Sequence, residues 1–153
     1  LEVPQEALEA QFELARDIWQ ALTRTHETIS RVRGLRTQVE AVAGRADDEN
    51  VTAKAEEITK ALTAIEEKLT QVKNESSQDV LNFPPQLDNQ LLSLQSVVES
   101  TLGPPLESSR QLFAALESEL EAHIADLDAV VSGQLPELER LLEEAGAPRV
   151  VVP

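Results

Sequence analysis

Residues 51–72, VTAKAEEITKALTAIEEKLTQV, place Val51, Ala55, Ile58, Leu62, Ile65, Leu69 and Val72 at successive steps of four and three. A helix turns once every ~3.6 residues, so these side chains share one seam, while Thr, Lys, Glu, Gln and Ala fill the positions between them. Such a seam is stable only when it is covered by other helices. The stretch therefore predicts an all-α chain that packs helix on helix.

Working outward, Pro4 suits a first helical turn. An apolar face then recurs at Leu8, Phe12, Ala15, Trp19, Leu22, His26, Ile29, Val32, Leu35, Val39 and Val42. This predicts a first helix over about 5–43, ~60 Å long at 1.5 Å per residue, with Gly44 as its stop. The polar run Ala46-Asp47-Asp48-Glu49-Asn50 predicts a turn, and the second helix follows over about 50–73. Asn74 to Asp79 reads as a polar connection, and Phe83-Pro84-Pro85 as extended chain. A third helix over about 85–101 turns Leu87, Leu91, Leu94, Val98 and Leu102 inward. Gly103-Pro104-Pro105 separates it from a fourth over about 105–145, with a face running from Leu106, Phe113, Leu116 and Leu120 to Leu138 and Leu142. Pro136 should kink that helix by removing one backbone hydrogen bond, and the chain closes past Gly146 as an extended tail.

Short connections favour antiparallel neighbours, so the expected architecture is an up-down-up-down antiparallel four-helix bundle with long first and fourth helices. Aligned at the Gly44/Gly103 end, those two helices project beyond the shorter pair. Leu8, Phe12 and Trp19 would then face Leu135, Leu138 and Leu142 on a stalk with more apolar surface than two helices need, which makes these six the expected partner contacts.

The 153 residues amount to one domain, 1–153, and the opening Leu1-Glu2-Val3-Pro4 reads as a cut from a longer polypeptide. There is no cysteine, which excludes disulfides and leaves the compartment open. Against 13 basic residues stand 28 acidic ones, and a net charge of −15 repels nucleic acid and anionic lipid. No apolar run approaches the ~20 residues that span a bilayer.

Chemistry is sparse. His26 falls on the first seam, and the antiparallel alignment brings His123 and Glu119 of the fourth helix near it, so these three are the candidate metal ligands. A carboxylate-bridged di-metal bundle needs Glu three residues before His, and neither histidine has it. Satisfied seam-edge histidines are the simpler reading. Nucleophilic catalysis lacks Cys, Tyr and a Gly-x-Ser-x-Gly elbow, and Glu117, Glu119, Glu121 and Asp126 read as a solvated face. Arg31, Arg33 and Arg36 match Glu117, Glu119 and Glu121 as an interhelical charge pattern. Phe12, Trp19 and Phe113 occupy seam positions and read as core. The residues thus point to no catalytic group, no metal and no cofactor.

The string Asn82-Phe83-Pro84-Pro85-Gln86-Leu87-Asp88-Asn89-Gln90-Leu91, followed by Leu94, Val97-Val98, Leu112-Phe113, Leu116, Glu119-Leu120 and Ala122, resembles the C-terminal end of the sortilin/VPS10-type β-propeller proteins of bacteria, often labelled BNR-repeat proteins or glycosyl hydrolases. Gln11-Phe12, Leu14-Ala15-Arg16, Arg31-Val32-Arg33 and the closing Ala147-Pro148-Arg149-Val150-Val151-Val152-Pro153 are similar too. The resemblance implies a helical tail behind a propeller that this chain does not contain, and an extracytoplasmic or secreted location. Any glycosidase-like residues would belong to the propeller. The expected function is accordingly a non-catalytic interaction module that docks to its own propeller or to another protein. A free-standing coiled-coil scaffold that self-associates is the alternative, and a metal-binding or enzymatic bundle the third.

Overall fold

The computed structural model describes residues 3–73 and 83–151, so residues 74–82, including the whole of the expected polar connection Asn74 to Asp79, lie outside the described residues. The chain is all-helical. Its elements are α1 (Gln5–Ala46), α2 (Glu49–Leu69), α3 (Leu87–Ser100) and α4 (Glu107–Ala129), then a π-helical turn (Val130–Gln134) and α5 (Leu135–Glu144). No strand occurs among the described residues. This is a helical bundle by composition of elements, and the chain divides into two compact units. Unit 1 comprises residues 1–27 and 69–122, and unit 2 comprises 28–68 and 123–153.

Helix ends follow local chemistry. α1 runs through Gly44 to Ala46, because nothing at Gly44 demands a positive φ. It stops at Asp47, the one non-glycine residue with positive φ among the described residues (47°). Asp48 starts α2: its Oδ1 accepts from the Asn50 N–H at 2.9 Å and the Val51 N–H at 3.0 Å, covering two donors that have no partner inside the helix. α5 ends in a Schellman motif, with Gly146 at φ 68° donating to the Glu143 carbonyl and Ala147 donating to Leu142 at 2.9 Å. α2 ends at Leu69, four residues short of the expected boundary, and leaves Val72 exposed.

In unit 1, the Gln11 side chain donates to the carbonyls of Val98 (2.6 Å) and Thr101 (2.8 Å), fixing the end of α3 at the start of α1. α4 begins six residues after Thr101, and fourteen residues further on Glu121 pairs with Arg24 at 2.5 Å. Within this unit α4 therefore runs parallel to α1. In unit 2, Arg31 pairs with Asp128 (3.4 Å) and Lys54, near the α1–α2 turn, with Glu137 (2.6 Å). There too the fourth-helix piece advances with α1. The expected antiparallel alignment of the first and fourth helices does not hold in either unit. That expectation aligns all four helices at the Gly44/Gly103 end, whereas α3 belongs with the N-terminal piece of α1 and α2 with the C-terminal piece.

The α2 seam is buried from Val51 to Leu69, and α3 buries Leu87, Leu91, Leu94 and Val98. Leu102 and Leu106 are exposed, against expectation, because they sit in the turn between α3 and α4. In α1 the true seam is Ala7, Gln11, Leu14, Ile18, Ala21, Thr25, Thr28, Val32, Leu35, Val39 and Val42, an unbroken alternation of four and three. Its N-terminal half lies one residue before the expected row. Polar seam residues are accommodated by hydrogen bonds: Thr25 Oγ1, fully buried, donates to the Ala21 carbonyl at 2.8 Å.

The last helix keeps the same alternation through Ser109, Phe113, Leu116, Leu120, His123, Leu127 and Val130, then jumps five to Leu135 before Leu138 and Leu142. The π turn spans that jump. It adds one residue to a helical turn, which returns Leu135, Leu138 and Leu142 to the core side and relieves Pro136, at the head of α5, of a regular α-helical partner. Pro136 thus coincides with a widened turn and the helix continues beyond it. The segment after Gly146 is held in unit 2 by buried Val150 and by the Val151 N–H donating to Gln38 Oε1 at 2.9 Å.

Candidate functional site

The one-residue offset in α1 decides which side chains are available. Ile18 is fully buried, while its neighbour Trp19 is 57% exposed. Leu8 and Phe12 are exposed as well, and Phe12 at 67% is the more open of the two aromatics. With Ala15 these residues are spaced i, i+4, i+7 and i+11, a single row on one helix face. The expected core role of Phe12 and Trp19 is therefore wrong, whereas Phe113 is buried as expected. Alongside the row stand the exposed carboxylates Glu9 and Glu13, with Gln5 and Arg16. Glu9 accepts from Gln5 Nε2 at 2.8 Å, and Arg16 pairs with Asp17 at 3.2 Å.

A second apolar feature of unit 1 is a groove of about 450 Å³ between α3 and α4, walled by Leu94, Val97, Leu106 and Leu112 with Ser93 and Ser109 among its polar lining. Leu92 and Leu102 are exposed in the same unit. Among the described residues of unit 2, the exposed large apolar side chain is Val151.

Unit 2 is instead cross-linked by charge. The Glu66 side chain is only 6% exposed; it accepts from Arg33 Nε and, at 2.6 Å, from Arg36 Nη1. Burial pushes the Glu66 carboxyl up, and the two guanidinium hydrogen bonds more than offset this, holding it below the usual carboxylate range. The Glu137 hydrogen bond raises the Lys54 ammonium above its ordinary value, and Lys54 lowers Glu137 in turn. The partners of the arginine cluster are thus Glu66 and Asp128, and not Glu117 or Glu119; Glu121 pairs with Arg24.

Of the six expected partner contacts, Leu8, Phe12 and Trp19 are exposed on unit 1, whereas Leu135, Leu138 and Leu142 are buried in the core of unit 2. The stalk in which the two sets faced each other depended on the antiparallel alignment and falls with it. Of the candidate metal ligands, His26 is exposed, because Thr25 and Thr28 take the seam, while half-buried His123 stands one turn after Glu119 on α4, with Nδ1 3.8 Å from Asp126 Oδ2. No group of three or more metal-ligating side chains converges among the described residues. No helix among them is long and apolar enough to cross a membrane.

No protein family, no curated protein and no solved structure matches this chain.

Proposed function

We propose that the chain is a non-catalytic helical interaction module, carried at the C-terminal end of a β-propeller polypeptide, that docks through unit 1 to the rest of its chain or to a partner. The observation that carries this reading is the uneven distribution of large exposed apolar side chains: unit 1 presents Leu8, Phe12, Trp19, Val97, Leu106 and Leu112, while among the described residues of unit 2 the one such side chain is Val151. Exposed aromatics rimmed by polar residues are what a docking surface requires and what an isolated helix gains nothing from. The propeller context is supported by the Asn82–Leu91 string, and an acidic chain is poorly suited to nucleic acid or anionic membrane. In this reading the short helices run opposite to the long ones within their own units.

A self-associating scaffold is the second reading, favoured by the heptad-like spacing of Leu8, Phe12, Ala15 and Trp19. Amide exchange and sedimentation together separate the two. In a polypeptide that joins a propeller to this chain, residues 8–22 and 92–112 are expected to exchange at least about tenfold more slowly than in the chain alone, a protection of ~1.4 kcal/mol. Unchanged exchange would sink the docking reading. A tight symmetric dimer of the isolated chain would replace it with the scaffold.

A further inference from the structure

The row of carboxylates beside the α1 stripe specifies what can cover it. Glu9 and Glu13 are exposed and lie with Leu8 and Phe12 along one flank of the helix, and neither enters an ion pair among the described residues. The nearest cation in that row, Arg16, is already engaged by Asp17. An apolar row with this spacing is the complement of an amphipathic helix, whose own anchors recur at the same interval. A partner helix that brought acidic flanks against Glu9 and Glu13 would be repelled, and one with neutral flanks would leave their charge uncompensated. Lys and Arg flanks meet both needs, because their aliphatic stems cover the apolar edge and their heads reach the carboxylates, while a guanidinium can also stack on Phe12 or Trp19.

We propose that the α1 stripe of unit 1 is the docking face for an amphipathic helix of a partner protein, or partner domain, whose apolar row is flanked by Lys or Arg. The inference rests on the interaction-module reading and adds the chemistry of the partner. A second copy of this chain is the weaker occupant, because each carries a net charge of −15 and would present carboxylates to carboxylates along the same flank.

Trp19 is the sole tryptophan of the chain and reports on the site directly. The probe is a tryptophan-free helical peptide with Leu at i, i+4, i+7 and i+11 and Lys on both flanks, compared with a twin carrying Glu on those flanks. The Lys peptide is expected to blue-shift Trp19 emission, to shield it from acrylamide, and to bind at least about tenfold more tightly than the Glu twin, with affinity falling as salt rises. Replacing both carboxylates (E9Q, E13Q) should bring the two peptides to within about threefold of each other with the melting temperature unchanged, since exposed charges contribute little to folding. Phe12→Ser should weaken both peptides. Equal binding of the two peptides to the wild-type chain, or binding that leaves Trp19 emission untouched, overturns the proposal. If neither peptide binds while residues 8–22 are protected in the longer polypeptide, docking stands and the basic helix is wrong; a chain that sediments as a dimer with Trp19 already shielded gives the stripe to a second copy and also overturns it.

Discussion

Arg36 donates to Glu66 at 2.6 Å across the α1–α2 interface of unit 2, and it does so with three-quarters of its own side chain covered. The same guanidinium also reaches Thr63 Oγ1 at 3.3 Å. Arg33, the second donor to Glu66, is 56% exposed. The two arginines are therefore unequal partners of one buried carboxylate, and their energetic weights should differ accordingly.

Arg36→Ala is expected to cost about 1–3 kcal/mol, because it strips a buried acceptor of its better-covered partner, and Arg33→Ala no more than about 1 kcal/mol. Urea unfolding at neutral pH measures both. The pH dependence has a defined sign. Glu66 is held below its ordinary value, so its contribution is fully present above the unfolded carboxylate pKa of about 4.3 and is lost as the pH falls through the lower folded value. Glu66→Gln should consequently destabilise the chain at pH 7 and converge on the wild type in acid. A constant difference between the two proteins from pH 7 down to acid unfolding would contradict this.

The adjacent residues Ile18 and Trp19 provide a sharper test of register. Ile18 lies in the four-three seam with no exposure, so Ile18→Ala should cost roughly 2–4 kcal/mol. Trp19→Ala, which removes a far larger side chain, should change stability by no more than about 0.5 kcal/mol. Thermal melts of the two variants decide the matter, and the reverse order would restore the row through Leu8, Phe12 and Trp19 as core.

This pair also explains how far the sequence can be read. The α2 seam is legible because every position of its four-three row, from Val51 to Leu69, is apolar, with buried Glu66 standing beside that row. In the N-terminal half of α1 the buried row is small or polar, with Ala7, Gln11, Ala21, Thr25 and Thr28, while the next row holds Leu8, Phe12, Trp19 and Leu22. Hydrophobicity alone selects the second row. The information that selects the first is three-dimensional: Gln11 finds the carbonyls at the end of α3, and Thr25 finds a carbonyl of its own helix. Half of the candidate site survives this shift for a related reason. Leu8, Phe12 and Trp19 are surplus to the core, as the sequence leads one to expect; Leu135, Leu138 and Leu142 are core because of a step of five that a scan for threes and fours passes over.

Asp48 sets the start of α2 through two backbone donors, so Asp48→Ala should destabilise the chain by about 0.5–2 kcal/mol. Asp47, one residue earlier, has φ of 47°, and Asp47→Gly should be neutral or stabilising because glycine adopts that region without a Cβ clash. Chemical denaturation of the two variants should move in opposite senses, or at least differ by more than the error of the cap measurement. A loss of stability in Asp47→Gly as large as that in Asp48→Ala would show that the turn is held by the Asp47 side chain.

The π turn makes the last prediction. Regular alternation after Val130 would place Gln134 in the seam, and Gln134 is in fact half-buried with its Oε1 lacking any hydrogen-bond partner. Gln134→Met keeps the volume and removes an unsatisfied acceptor, which should stabilise the chain by about 1 kcal/mol. Pro136→Ala alone should leave the π turn in place, because the step of five from Val130 to Leu135 demands an extra residue whatever follows it. Deleting Gly133 in the Pro136→Ala background shortens that step to four, so Leu135, Leu138 and Leu142 stay on the core side along an unbroken α-helix. The deletion variant should melt at or above the temperature of Pro136→Ala. Inserting one alanine after Gly133 should do the opposite, turning the three buried leucines about 100° out of the core at a cost of several kcal/mol. If the deletion unfolds the chain and the insertion is tolerated, the π turn does not serve to restore the heptad register.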